Sequence, residues 1–235
     1  MKKLSLIIPC YNESKNLPML IERCKKIYYI EQDIEIIIVD NGSSDETSLV
    51  LDRITSGMPF FIRINIKKNK GYGNGILMGL AVAEGEVIGW THADLQTDPS
   101  DVLKGLDFFQ KSSSPEFLFV KGQRYDRPIL DNIFTIGMSI FETILLKRVM
   151  WDINAQPTMF HRSFFLDWNA PPNDFSLDLY AYYLAIRSGL KIERFPVHFG
   201  KRIHGVSNWN FSFLSKYRFI KRTLLYSFNL RRKMS

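Results

Sequence analysis

Four times within the first hundred residues a short apolar run gives way to a segment with helical spacing. That alternation limits the chain to an α/β fold with a mostly parallel sheet flanked by helices. Leu4 to Cys10 reads as a first buried strand, too short for a leader and followed at once by the polar YNESKN. Leu17, Leu20, Ile21 and Cys24 then repeat at i, i+3, i+4 and i+7, and Pro18 is tolerated if the helix starts near Ser14 to Asn16. The run IEIIIV, Ile34 to Val39, is apolar at nearly every position, as a strand covered on both faces must be. Ser43 and Glu46 stand three apart as a capping box before Leu49, Val50 and Ile54. Phe60 to Ile66 is a third strand, and Val87 to Thr91 a fourth.

Ligands of such sheets sit beyond the carboxyl ends of the strands, which directs attention to what those ends carry. Asp40, Asn41 and Gly42 close the second strand. Gly71, Gly73 and Gly75 open the helix after the third, where a glycine-rich entry lets backbone approach a ligand closely and a helix N-terminus favours anions. The fourth strand runs into HADLQTDP, and Asp94, Gln96 and Asp98 offer the hard oxygens that suit Mg²⁺ or Mn²⁺ shared with a phosphorylated substrate. The plain alternative is a loop whose acids cap the next helix.

Beyond Pro99 the expected elements are a helix from Asp101 to about Gln110, a strand Phe117 to Val120 and a long helix marked by Ile129, Ile133, Ile136, Ile140 and Ile144. Its broad apolar face is expected to join the core, with a membrane or a partner as the alternative. No run of about 18 uninterrupted apolar residues exists, and Asp131, Glu142, Lys147 and Arg148 interrupt the nearest candidate, Ile129 to Met150, so no spanning helix is expected. Leu177, Ala181, Leu184 and Ala185 mark a further helix ending at Ser188-Gly189, and Lys191 to Phe199 a last strand. Cys10 and Cys24, without a paired pattern, are expected as buried thiols of a reducing compartment.

The net charge of +7 is concentrated at one end. After Glu193 there is no acid but ten Lys and Arg, so the earlier residues hold 21 basic against 24 acidic side chains. Residues 1–210 are read as one domain and 211–235 as a basic amphipathic tail, with Phe213, Tyr217, Ile220 and Leu224 at helical spacing. Such a tail suits an anionic membrane surface, and no RNA- or DNA-binding motif accompanies it.

Taken in order, LSLIIPCYNESKNL, IIIVDNGSSDET, NKGYGNGILMGL, ADLQTDP and FPVHFGKRIHGVSNW resemble the family 2 glycosyltransferases of the GT-A fold, the group that includes the polyprenyl-phosphate glycosyltransferases. The resemblance implies that Pro9, Tyr11, Glu13, Asp40 and Asn41 hold the base and ribose of a nucleoside-diphosphate sugar. It implies that Asp94 and Gln96 touch the metal, while His92 stands where the family's DADLQ has its first Asp and offers an imidazole to the metal or a ribose hydroxyl. Arg202, with Gly205 and Ser207, matches the family's RxxGxS loop over the diphosphate. Arg124 resembles an arginine near the acceptor phosphate, and the second arginine expected on the following helix has no counterpart in FTIGMSIFE.

The implied reaction is inverting transfer of the sugar to a polyprenyl phosphate, the enzyme lying peripherally on the inner face of the membrane. A glycan hydroxyl acceptor would require a base, for which Asp174 and Asp178 stand at the family position, although both also suit a helix start. A silent nucleotide-sugar-binding protein is the third reading, motivated by His92 and the missing arginine.

Overall fold

The computed structural model describes residues 2–204 and 213–234. Gly205, Ser207 and the side chains of Phe213 and Tyr217, named above, lie outside the described residues. A seven-stranded sheet runs in the order β3-β2-β1-β4-β6-β5-β7, built from β1 (Leu4–Cys10), β2 (Ile34–Asp40), β3 (Phe61–Asn65), β4 (Val87–Trp90), β5 (Leu118–Tyr125), β6 (Thr158–His161) and β7 (Lys191–His198). β1 is parallel to β2 and β4, β2 to β3, and β5 to β7, whereas β6 lies antiparallel between β4 and β5.

The apolar strand runs follow from burial on two faces. Leu4, Leu6, Ile8, Ile36 and Ile38 point to one side, against Leu17, Leu20, Ile21 and Cys24 of α1 (Leu17–Ile30). Ile7, Ile37 and Val39 point to the other, against Ile76 and Leu80 of α3 (Tyr72–Leu80) and Leu177 of α7 (Ser176–Arg187). Fully burying each Leu or Ile is worth roughly 1.5–3 kcal/mol, so a polar residue at any of these alternating positions would be costly. α2 (Thr47–Ile54) and α4 (Asp101–Lys111) cover the first side.

α2 starts later than a Ser43–Glu46 capping box would place it. Ser43 accepts instead from the Asn12 amide and donates its own amide to Asp40, and Asp45 receives the Thr47 amide at 3.0 Å. Tertiary bonding has displaced the local motif. β5 runs five residues past its expected end, because Gly122 to Tyr125 pair with Phe195 to His198 of β7. β6 and the short α6 (Arg162–Leu166) were not foreseen at all.

α5 (Ile129–Leu146) corrects the expectation that its apolar face joins the core. Its buried residues are Ser139, Glu142, Leu145 and Leu146, while Ile129, Ile133, Ile136, Ile140 and Ile144 are exposed, so the isoleucine face is outside the core. The helix also ends before Lys147 and Arg148, which leaves an 18-residue segment long and apolar enough to cross a membrane, with a mean hydropathy of 1.6. α8 (Phe213–Met234) packs on α5 and α7, with Ser227 and Leu230 buried.

Candidate active site

The chain runs β1, β2, β3 toward one edge and then crosses back to place β4 on the other side of β1. The strand order therefore reverses at β1, and the site lies beyond the carboxyl ends of the strands at that point. A cavity of about 620 Å³ opens there, lined by Pro9, Tyr11, Glu13, Asn41, Gly71, His92, Asp94, Gln96, Arg124, Asp174, Asp178 and Arg202. Asp40 and Gly73 are not among its lining residues.

At one end of the cavity Arg202 stands between two carboxylates. Its Nη2 donates to Asp94 Oδ2 at 2.6 Å, and Nη1 lies 3.7 Å from Glu13 Oε1. Burial, reinforced by the neighbouring negative charge of Asp94, pushes the Glu13 carboxyl above its usual range despite hydrogen bonding from Asn16. Asp94 Oδ1 accepts the Gln96 amide at 3.1 Å, which fixes the carboxylate on its turn. The Gln96 side-chain nitrogen donates to the Gly200 carbonyl at 3.2 Å, leaving its oxygen as the remaining acceptor. Among the described residues no three His, Cys, Asp or Glu form a closed metal cage. A single buried carboxylate that already receives a cation, with an amide oxygen two residues on, still fits Mg²⁺ or Mn²⁺ whose other positions are filled by ligand oxygens and water. Asp98 instead accepts from the Ser100 amide in the turn before α4 and pairs with Arg23 at 3.1 Å.

Asn41 donates to the Gly71 carbonyl at 2.8 Å, and its buried Oδ1 has no partner within the protein. Asp40 is buried and spends one oxygen on the Ser43 amide. The two glycines serve a packing need. A Cβ on Gly71, at φ +116°, would lie 2.3 Å from the Asn173 carbonyl oxygen, and one on Gly73 would lie 2.6 Å from that of Pro172. What approaches closely is the Pro172–Asp174 segment of the chain itself.

The floor is aromatic. Tyr72 stacks on Phe175 at 4.6 Å and lies 5.6 Å from the His92 ring. Below it Asp178 Oδ1 accepts from Trp90 at 3.1 Å and Gln156 at 2.9 Å, and Gln156 also donates to the Tyr72 hydroxyl. Burial pushes the Asp178 carboxyl up, against the pull of the buried Lys121. Asp174 caps α7 through the Ser176 amide and pairs with Arg222 at 3.0 Å.

A second part of the lining is cationic. Arg124 is locked to Asp152 through Nε at 2.9 Å and through Nη2, and although burial opposes it, this pairing holds the Asp152 carboxyl below its usual range. Arg127 donates to Thr135 at 2.7 Å, and both guanidiniums lie over Phe199. Arg127 and Arg222 line the cavity and were missed by sequence reasoning. Arg127 stands two residues before the helix after β5, in QRYDRP, three positions past Arg124.

The profile described as glycosyl transferase family 2 matches residues 5–171. The undecaprenyl-phosphate 4-deoxy-4-formamido-L-arabinose transferase of Proteus mirabilis is 36% identical over 102 residues, covering 43% of this chain and 31% of the relative. That of Yersinia pestis is 38% identical over 106 residues, covering 43% and 32%. The matched region spans about a third of the length of these curated relatives. Among solved structures, the mannosyltransferase PcManGT from Pyrobaculum calidifontis in complex with GDP-Man and Mn²⁺ superposes with a TM-score of 0.71 at 16% identity, over 99% of this chain and 65% of that one. Glucosyl-3-phosphoglycerate synthase from Mycobacterium tuberculosis, bound to Mn²⁺, UDP-glucose and phosphoglyceric acid, gives 0.72 at 16%, over 100% and 81%. With its central switch point and carboxylate-bearing strand ends, the chain has the GT-A fold and belongs to glycosyl transferase family 2.

Proposed function

We propose that the chain transfers a sugar, with inversion, from a nucleoside-diphosphate sugar to the phosphate of a polyprenyl phosphate. The observation that carries this reading is one cavity lined by two cationic groups, Arg202 with Asp94 as the first and Arg124, Arg127 and Arg222 as the second. The donor's diphosphate belongs at the first group. Asp94 and the Gln96 oxygen would hold Mg²⁺ or Mn²⁺, which supplies Lewis-acid stabilisation of the departing diphosphate. Arg202 exchanges its bond to Asp94 for the phosphate oxygens, where its planar fork donates two parallel hydrogen bonds. The unpartnered Asn41 Oδ1 offers the base or ribose an acceptor.

The acceptor oxyanion belongs at the arginine wall. A phosphate oxygen is already ionised and needs no general base, and the two carboxylates at the candidate base positions are engaged, Asp178 by Trp90 and Gln156, Asp174 by Arg222 and Ser176. This favours a phosphate over a glycan hydroxyl. The matched relatives are named as undecaprenyl-phosphate sugar transferases, which supports the same acceptor class. Arg127, beside Arg124 in the lining, offers a second arginine to an acceptor phosphate, which weakens the case for a silent binding protein.

The test is a panel of radiolabelled UDP- and GDP-sugars with Mn²⁺ and undecaprenyl phosphate in detergent, read as label extracted into organic solvent. An acid-labile lipid-linked product is expected. Transfer only to hydroxyl acceptors would replace this reading by glycan elongation, and bound nucleotide sugar with no turnover would leave a silent binder.

A further inference from the structure

The outer face of α5 has no partner among the described residues, and its chemistry is unusual for a surface. Ile129, Leu130 and Ile144 are 77%, 80% and 72% exposed, and Ile133, Ile136 and Ile140 continue the same arc. A contiguous apolar ridge along about 22 Å of helix marks an interaction site rather than scattered surface residues. The opposite face of the same helix is committed inward. Asp131, Phe134 and Thr135 line the cavity, Ser139 accepts the Asp152 amide at 3.2 Å, and Glu142 accepts from Ser227 of α8 at 2.6 Å.

We infer that α5 is a docking helix that lies flat in the headgroup–acyl boundary of an anionic bilayer, isoleucines inward, with the arginine-bordered mouth of the cavity at headgroup level. Charge selects this occupant. The ridge ends in exposed Lys147 and Arg148 beside Val149, and α8, which packs alongside through Phe141 and Phe228, exposes Lys221, Arg231, Arg232 and Lys233. Asp126 is exposed before the ridge's first turn, but the basic residues at its other end and on α8 outnumber it, and that excess repels a second copy of the same chain and attracts anionic lipid. Spanning is the wrong geometry, because crossing would strip Ser139 and Glu142 of their partners and open the cavity wall. The basic tail is then an electrostatic aid, and the apolar anchor lies eighty residues earlier in the chain. The inference holds whichever acceptor the cavity takes, and its test reads binding rather than transfer.

The full chain is sedimented with vesicles of phosphatidylcholine and phosphatidylglycerol, beside the triple variant Ile133→Ser, Ile136→Ser, Ile140→Ser. The three positions are exposed, so the variant keeps its thermal midpoint, and its partition coefficient is expected to fall about a hundredfold. A second reading uses a single label. Cys10 and Cys24 are buried, so an environment-sensitive fluorophore attaches selectively to Ile136→Cys, where its emission shifts to the blue on adding vesicles, and to Tyr29→Cys on α1, where it does not. Unchanged partition of the triple variant overturns the inference. So does an aqueous emission at position 136 on vesicles, or a dimer in solution that the three serines dissociate.

Discussion

Replacing Lys121 with methionine tests whether the buried polar layer beneath the cavity has the electrostatics its geometry implies. The lysine is fully buried on β5, donates to Thr158 at 2.6 Å and lies 5.8 Å from the Tyr182 ring. Burial lowers its ammonium pKa to about 7, an effect Asp178 only partly offsets. The unfolded chain restores a value near 10.4, so above neutrality the unfolded state binds the extra proton and stability rises with pH. Between pH 7 and 8.5 this amounts to about 1.6 kcal/mol, from about 1.4 kcal/mol per fully developed unit. Glu142 acts oppositely. Burial raises its carboxyl to about 7, so stability falls between pH 5.5 and 7 by about the same amount, the folded state holding the proton. The parent should therefore show a stability minimum near pH 7 in urea titrations taken from pH 5.5 to 8.5. Cys10 and Cys24, also held protonated by burial, contribute a decline that sets in as the unfolded thiols ionise at about pH 8.5, so they blunt the top of the rising limb. Lys121→Met should abolish the rising limb, and Glu142→Gln should flatten the falling one. A monotonic parent profile, or a rise that survives in Lys121→Met, refutes the reasoning.

Asp94→Asn should lower transfer about a thousandfold while leaving the fold intact, checked by initial rates and circular dichroism; a loss below tenfold would remove the metal from Asp94. Arg202→Gln frees Asp94 and Glu13 of their resident cation, so Mn²⁺ affinity without nucleotide, measured by electron paramagnetic resonance, should rise several-fold while transfer falls about a hundredfold. Equal Mn²⁺ affinity would show that the guanidinium does not compete for the site. Gly71→Ala should cost about 2–3 kcal/mol in urea melts, since the left-handed backbone and the Asn173 carbonyl both oppose a methyl. Gly137→Ala, in the open on α5, should gain about 0.5–1 kcal/mol from helix propensity.

What could be read in advance follows from what makes a signal local. β1, β2 and β4 are covered on both faces by flanking helices, so each announces itself as a nearly continuous apolar run, and the acids at their ends stand out against it. β6 has no such mark. It is four residues long, begins at a buried threonine and takes its partners from β4 and β5. The cavity walls are hidden for the same reason, because Arg127, Tyr72, Phe175 and Arg222 meet only after folding and share no spacing. Glycines 71 and 73 advertise smallness without saying what comes close, and the answer lies a hundred residues away.

α5 failed differently, and more usefully. Helical periodicity establishes that one arc is apolar, but not which arc turns inward, and the default assumption is that the apolar one does. Here the inward arc carries Ser139 and Glu142, and the isoleucines face out. A chain that buries a glutamate while exposing six large aliphatic side chains on one helix is inconsistent as an isolated globule. It becomes consistent when the outer arc has an apolar environment of its own, since burying those side chains would recover about 1.5–3 kcal/mol each. The same helix walls the cavity through Asp131, Phe134 and Thr135, so whatever covers its outer face lies one helix diameter from the arginines proposed to receive the acceptor. A lipid-borne phosphate would find both its tail's environment and its headgroup's partners on the two sides of a single element.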